Sequence, residues 1–460
     1  MGLARAHAIA LVGVEGHPVE IEADIENGMV ALLLVGLPDT ALREARDRIR
    51  SAIVNSAERW PTRRITVGLS PASLPKRGSG FDLGIAAAIL AASESLPAGS
   101  LEGLVLIGEL GLDGRIRPVR GVLPAAAAAM AAGFGAVVVA HENAAEAALV
   151  PDLRVVAAPC LAAFTAWLRN GRSPADPVVQ VLEPGRDVGV FSSGDGSNEG
   201  VIGTARNASE PVKDLADLVG QPVARRAAEI CAAGGHHLML LGPPGVGKTM
   251  LAERIPSVLP RLEPAAALEV SAIHSVAGAL PPDRPLVTQP PFCAPHHTAT
   301  RAAIVGGGSG VIRPGAASLA HHGCLFLDEA PEFGRDVLDA LRQPLESGEV
   351  VVARASVTAR FPARFTLIMA ANPCPCASAR TAGSSCSCTP TARRRYLARL
   401  SGPLLDRVDA KIEFLPVRRA ELVDLIGAQP GVVRDDMELH VDVGRRRERA
   451  RRRRDDAVPA

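Results

Sequence analysis

Aromatic side chains are scarce in this chain: ten Phe, two Trp and one Tyr among 460 residues. The core must therefore be built from Ala, Val, Leu and Ile, and a row of exposed rings on which single-stranded nucleic acid stacks is excluded. Net charge is nearly absent too, +1 from 50 basic and 49 acidic residues. One asymmetry hides in that balance. Arg445 to Ala460 holds eight Arg and three acids, which leaves −4 on the rest of the chain. A globally basic nucleic-acid binder is thus excluded, and any contact with a polyanion must come from local clusters. Long apolar runs are missing as well. The longest, Pro124 to Ala140, is 17 residues, is broken by Gly133-Phe134-Gly135 and falls short of a membrane span. Eight Cys without a secretory leader pattern point to a reducing compartment, so the expected location is the cytoplasm.

What is present is 47% apolar and 22% charged residue content with 44 Gly and 37 Pro, the balance of a soluble globular protein rich in turns. The length allows about three domains. Residues 1–170 alternate strand-like runs (Val30 to Val35, Arg64 to Leu69, Leu104 to Ile107, Ala136 to Ala140) with helical ones (Ala41 to Ser56, Asp82 to Ala92, Ala125 to Ala132), an α/β pattern. The apolar run Ala8 to Val14 reads as a first strand. Residues 171–211 turn to Ser, Pro, Gly and Asp and read as a flexible linker. A second α/β unit spans 212–416 and holds most of the recognisable chemistry.

Leu238 to Leu241 is a short apolar strand, followed by Gly242-Pro243-Pro244-Gly245-Val246-Gly247-Lys248-Thr249 and a helical run. This is a phosphate-binding loop in its strand-loop-helix setting. Its glycines let backbone N–H groups surround a phosphate at a helix N-terminus, Lys248 supplies a point charge to the β/γ oxygens, and the Thr249 hydroxyl suits Mg²⁺. ATP and Mg²⁺ are the cofactors expected. The strand Cys324 to Leu327 ends in Asp328 and Glu329, one carboxylate to hold Mg²⁺ through water and one to polarise an attacking water. A third strand, Thr366 to Ala371, ends in Asn372, a candidate for orienting that water.

These three strand ends, with Phe292-Cys293-Ala294-Pro295-His296-His297-Thr298, Pro314-Gly315-Ala316-Ala317-Ser318-Leu319-Ala320-His321-His322-Gly323 and Leu404-Leu405-Asp406-Arg407, resemble the YifB/ComM family of magnesium-chelatase-like AAA+ proteins over roughly residues 1–416. The resemblance implies a Lon-protease-like N-terminal domain followed by an AAA+ P-loop NTPase domain, ring hexamers with ATP between subunits, and DNA, single-stranded or branched, as the partner. It makes Arg407 an arginine finger for the neighbour's γ-phosphate. Gly348 to Arg360 alternates as a hairpin and resembles the family's pore insert; its Arg354 and Arg360 are then phosphate contacts, or else solvated arginines of an edge hairpin. Two alternatives stand beside a DNA motor: a chelatase-type motor subunit, and a nucleotide-binding protein without turnover.

His296, His297, His321 and His322 frame another insert and are either loop structure or metal ligands. Cys374, Cys376, Cys386 and Cys388 can close a structural Zn²⁺ site, stay as thiols or form a redox disulfide. In the Lon comparison, Gly80 takes the place of the nucleophile and Ala125 that of its Lys base. Ser79 lies one position off, so peptidase activity is not expected. Beyond Pro416 the chain offers only Val417 to Ile426 as a partial lid, then the Arg-rich tail, which together read as a truncated C-terminal lid or, for the tail, a nucleic-acid arm.

Overall fold

The computed structural model describes residues 2–36, 39–76, 78–184, 213–218, 220–308, 312–354, 357–376 and 388–414. The expected partial lid and tail, most of the linker and Cys386 lie outside the described residues.

The first α/β unit is built on one mixed sheet. Its strands are β1 (Gly2–Val12), β2 (Glu15–Glu26), β3 (Ala31–Val35), β4 (Arg64–Ser70), β5 (Leu104–Leu106), β8 (Ala136–Ala140), β9 (Arg154–Ala158) and β10 (Gln180–Leu182), in the order β10-β9-β8-β5-β1-β2-β4-β3. A separate small hairpin pairs β6 (Glu109–Leu110) with β7 (Ile116–Arg117). The expected first strand is real but lies earlier, and it turns at Gly13 into β2, which the sequence reading did not set out. In β2, Val19, Ile21, Ala23 and Ile25 are buried while the acids between them face outward, the two-residue period of a half-covered strand. β10 extends the sheet into the stretch read as linker, pairing antiparallel with β9.

The helix Asp82–Ala92 has the expected bounds and is apolar on every side, so it sits in the centre of the core. Burial of Leu83, Ile85, Ile89 and Leu90 stabilises the unit by roughly 1.5–3 kcal/mol each. Asp82 at its start is buried and clasped by Arg48, Nε to Oδ2 at 2.6 Å and Nη2 to Oδ1 at 3.1 Å. Burial pushes the Asp82 carboxyl up; the Arg48 hydrogen bonds and charge pull it back.

The second unit has a five-stranded parallel sheet of β11 (Leu238–Leu241), β12 (Phe292–Cys293), β13 (Cys324–Leu327), β16 (Thr366–Ala371) and β17 (Ala410–Glu413), ordered β12-β13-β16-β11-β17. β11, β13 and β16 are continuous apolar runs because helices and loops cover both faces. Parallel strands end on one edge, and the register Leu241 to Ala371 and Leu327 to Met369 brings the residues after β11, β13 and β16 together there. Beside this sheet, β14 (Glu349–Arg354) and β15 (Val357–Pro362) form the expected hairpin.

The units meet along two helices, Val122–Ala131 and Pro264–Ala277. Gly121 N donates to Ser275 O at 3.2 Å, and Ser275 Oγ donates to Glu146. Glu146 also accepts from Leu123 N at 2.9 Å and Asn143 Nδ2 at 3.2 Å; burial raises its pKa against these bonds. A second contact sets Val276, Ala359 and Phe361 against Leu11, Val12 and Val14 of the first unit. No described helix is long and apolar enough to cross a membrane.

Candidate nucleotide site

The loop after β11 turns through Gly245 (φ 81°) and Gly247 (φ 99°), backbone conformations that a side chain would strain, and delivers the chain into the helix Lys248–Ala252. Lys248 is buried, and its Nζ donates to Gly242 O at 2.6 Å, Pro243 O at 2.8 Å and Asn372 Oδ1 at 3.1 Å. Burial lowers the Lys248 pKa, opposed by the nearby charges of Asp328 and Glu329. From the next helical position, Thr249 Oγ1 donates to Asp328 Oδ2 at 2.8 Å. These are hard oxygen donors from two elements, held side by side, and they fit Mg²⁺.

Asp328 also accepts from Glu329 N at 2.9 Å. Glu329 itself has φ 51°, a left-handed conformation unusual for a residue with a side chain. It turns the chain sharply at the strand end and keeps the carboxylate at the cleft. Pro244, Gly245, Gly247, Lys248, Asp328, Glu329 and Asn372 all line one cleft of about 310 Å³. The sequence reading placed every one of these residues in the site, and the structure brings them together.

Other expectations separate. Arg407 does not line this cleft: it is exposed and donates to Glu346 Oε1 at 2.5 Å. Arg360 donates to Glu349 Oε1 at 3.0 Å across the hairpin, whereas Arg354 has no ion-pair partner among the described residues. The thiols of Cys374, Cys376 and Cys388 lie within 4.8 Å of one another, a donor set that fits Zn²⁺. The thiols of Cys231, Cys293 and Cys324 are pushed by burial to about 11, 12 and 12 and are inert at neutral pH.

The histidines divide likewise. Arg364 N donates to His321 Nδ1 at 3.0 Å, so the neutral ring carries its proton on Nε2, which faces Glu269 Oε2 at 3.2 Å. Donating from Nε2, the neutral His321 ring is held structurally, and the ligand atoms of Glu269, His321 and His322 lie within 4.8 Å of one another. His297, by contrast, lies with Nδ1 3.5 Å from Glu329 Oε2. Sequence reasoning quoted His297 only as part of an insert, because nothing in its spacing shows which strand end it faces. Tyr396, also missed, is buried beside the same acids, and burial, Glu332 and Glu329 push its hydroxyl to about 12.

With this geometry in place, comparison with known proteins is informative. Residues 214–422 match the family described as magnesium chelatase, subunit ChlI, and residues 21–143 match subunit ChlI of Mg-chelatase. An uncharacterized protein of Mycobacterium tuberculosis is 50% identical over 439 residues, 95% of this chain and 82% of the relative. YifB of Escherichia coli is 42% identical over 90% of this chain and 76% of its own length, and the competence protein ComM of Haemophilus influenzae is 43% identical over the same shares. This chain belongs to the YifB/ComM family. Its second unit is therefore the α/β P-loop domain of a magnesium-chelatase-like AAA+ protein, and the family resemblance read from the motifs holds. The magnesium-chelatase 38 kDa subunit of Rhodobacter capsulatus is more distant, 27% identical over 36% of this chain.

Proposed function

We propose that the chain is an ATP-hydrolysing motor that acts on single-stranded or branched DNA, working in the cytoplasm as a homo-hexameric branch-migration helicase in recombination or natural transformation. The observation that carries the ATPase part is the convergence of Lys248, Thr249, Asp328, Glu329 and Asn372 on one cleft. Lys248 would exchange its carbonyl partners for phosphate oxygens, Glu329 would take a proton from the attacking water, and Asn372 would orient that water. Mg²⁺ held by Thr249 and Asp328 would neutralise phosphate charge. Arg407, exposed and outside its own cleft, would exchange its exposed ion pair with Glu346 for a neighbouring subunit's nucleotide as the arginine finger. Arg354 on the hairpin supplies a phosphate contact to DNA, and the cysteine cluster holds a structural Zn²⁺. In this reading the first unit is a Lon-like scaffold without a Ser-Lys pair.

The greater similarity to ComM than to the chelatase subunit, in both identity and extent, favours a DNA substrate over metal insertion into a tetrapyrrole. Phosphate release is measured with and without single-stranded and branched DNA, with Lys248→Ala as the blank. Stimulation by DNA that vanishes in Lys248→Ala supports the motor. ATP bound without release, whatever DNA is present, overturns it and leaves a nucleotide-binding protein without turnover.

A further inference from the structure

A cavity of about 590 Å³ lies between the two units, and it shares no lining residue with the nucleotide cleft. Its size is that of ligand clefts in general. Gly80 and Ala125, the positions that the Lon comparison gives to nucleophile and base, both line it. What those residues leave is space without a nucleophile. Ser79, also in the wall, donates its hydroxyl hydrogen bond to Glu109. Glu109, the one carboxylate of the lining, accepts that bond and keeps its charge.

Three arginines line the same cavity: Arg120 from the first unit, Arg313 and Arg354 from the second. None of them has a carboxylate within ion-pair distance among the described residues. The two from the second unit are held next to each other. Arg313 pairs its backbone with Gly307 (3.0 and 2.9 Å), and the Arg354 guanidinium lies 4.0 Å from where a Cβ on Gly307 would stand. Arg120 reaches across the junction and packs on Gly278, where a Cβ would come within 2.4 Å of its Nε. Three guanidinium groups against the single carboxylate of Glu109 make the lining net cationic, and an anion in the cavity would complement it. Leu11, Val12, Phe81 and Ile107 add apolar lining, which suits sugars and base faces.

We propose that this cavity is a second nucleic-acid site, which takes the phosphodiester backbone of a single strand on Arg120, Arg313 and Arg354 as it leaves the β14–β15 hairpin. The inference rests on the DNA reading above and adds the first unit as a binding surface. The same arginines would accept a small phosphorylated molecule, so the test separates the two sources.

Binding of a fluorescein-labelled 20-nucleotide oligo-dT to the full chain is followed by anisotropy across a salt series, with inorganic polyphosphate and dTMP as competitors. Melting temperature serves as the folding control. Arg120→Ala and, independently, Arg313→Ala are expected to weaken the strand about three- to tenfold and to flatten the log–log salt slope by about 0.7 for each phosphate lost, and Arg120→Glu to weaken it further. Strand affinity and slope unchanged in Arg120→Ala and Arg120→Glu, with a loss in Arg354→Ala, would overturn the cavity site and leave the hairpin contact standing. No strand binding by the unaltered chain would overturn the DNA reading itself. Arg120-dependent binding of dTMP or polyphosphate without strand binding would reassign the cavity to a small phosphorylated ligand.

Discussion

Acidification should destabilise the second unit through His321. Its ring is 2% exposed and fixed between Arg364 N and Glu269. Burial, then the charge of His322, whose ring centroid is 4.1 Å away, lower its pKa to about 4; Glu269 opposes this and Arg364 adds to it. The unfolded ring titrates near 6.5. A folded pKa below the unfolded one means that the unfolded chain takes up the proton first, so stability present above pH 6.5 is lost as pH falls toward 4. At pH 5 the loss is on the order of 2 kcal/mol. For Glu269, burial works against the charged form, but the two histidines hold its pKa below the ordinary value, so its own contribution fades only at lower pH. Urea midpoints at pH 7 and pH 5 measure the effect, with His321→Asn as the comparison. That variant starts less stable by about 1–3 kcal/mol, because the buried ring and its Nε2 contact to Glu269 are lost even where Asn Oδ1 accepts from Arg364 N, but it should lack most of the pH 7 to pH 5 decline. A wild-type decline no larger than the variant's would refute the reasoning. The consequence is functional, since His321 ends the segment that leads into β13, whose far end carries Asp328 and Glu329.

Two further outcomes follow from the site. Glu329→Gln should keep ATP binding, read by fluorescent-nucleotide titration, while phosphate release falls about 10²- to 10⁴-fold; equal loss of both would show that Glu329 acts on binding. The chain as purified should carry one zinc by atomic emission, and Cys388→Ser should lose it; a zinc-free wild type would leave the cluster as thiols.

The nucleotide site was legible because its parts are local. Strand, glycine turn and helix start follow one another within a dozen residues, and each acid or amide caps an apolar run. The parallel order of β11, β16 and β13 then does the assembly, which the individual runs do not state. The helix Asp82–Ala92 was equally legible, since its unbroken apolar composition permits only a buried place. β2 was readable in principle, for its alternation is regular, but its acids made it resemble surface. What could not be read was long-range. His297 against Glu329, Arg364 N on His321, and the placing of Arg120 and Arg354 around one cavity all depend on how loops fold back, and no period or spacing encodes them.

The hairpin shows how such tertiary detail alters a functional assignment. From the sequence alone Arg354 and Arg360 are two cations of one ribbon; the register puts them on opposite faces, Arg354 on that of Ala359 and Phe361. The register sets Arg360 opposite Val351, within reach of Glu349 two pairs further along on the same face, and there it forms an ion pair. Both groups of that pair are well exposed, so it is worth little more than about 1 kcal/mol at best, but a phosphate must still displace the carboxylate to use Arg360. Arg354 ends its strand at the mouth of the interdomain cavity with no carboxylate to give up. The same residue type on the same hairpin therefore carries different work. In the proposed site Arg354 joins Arg120 and Arg313 around one cavity.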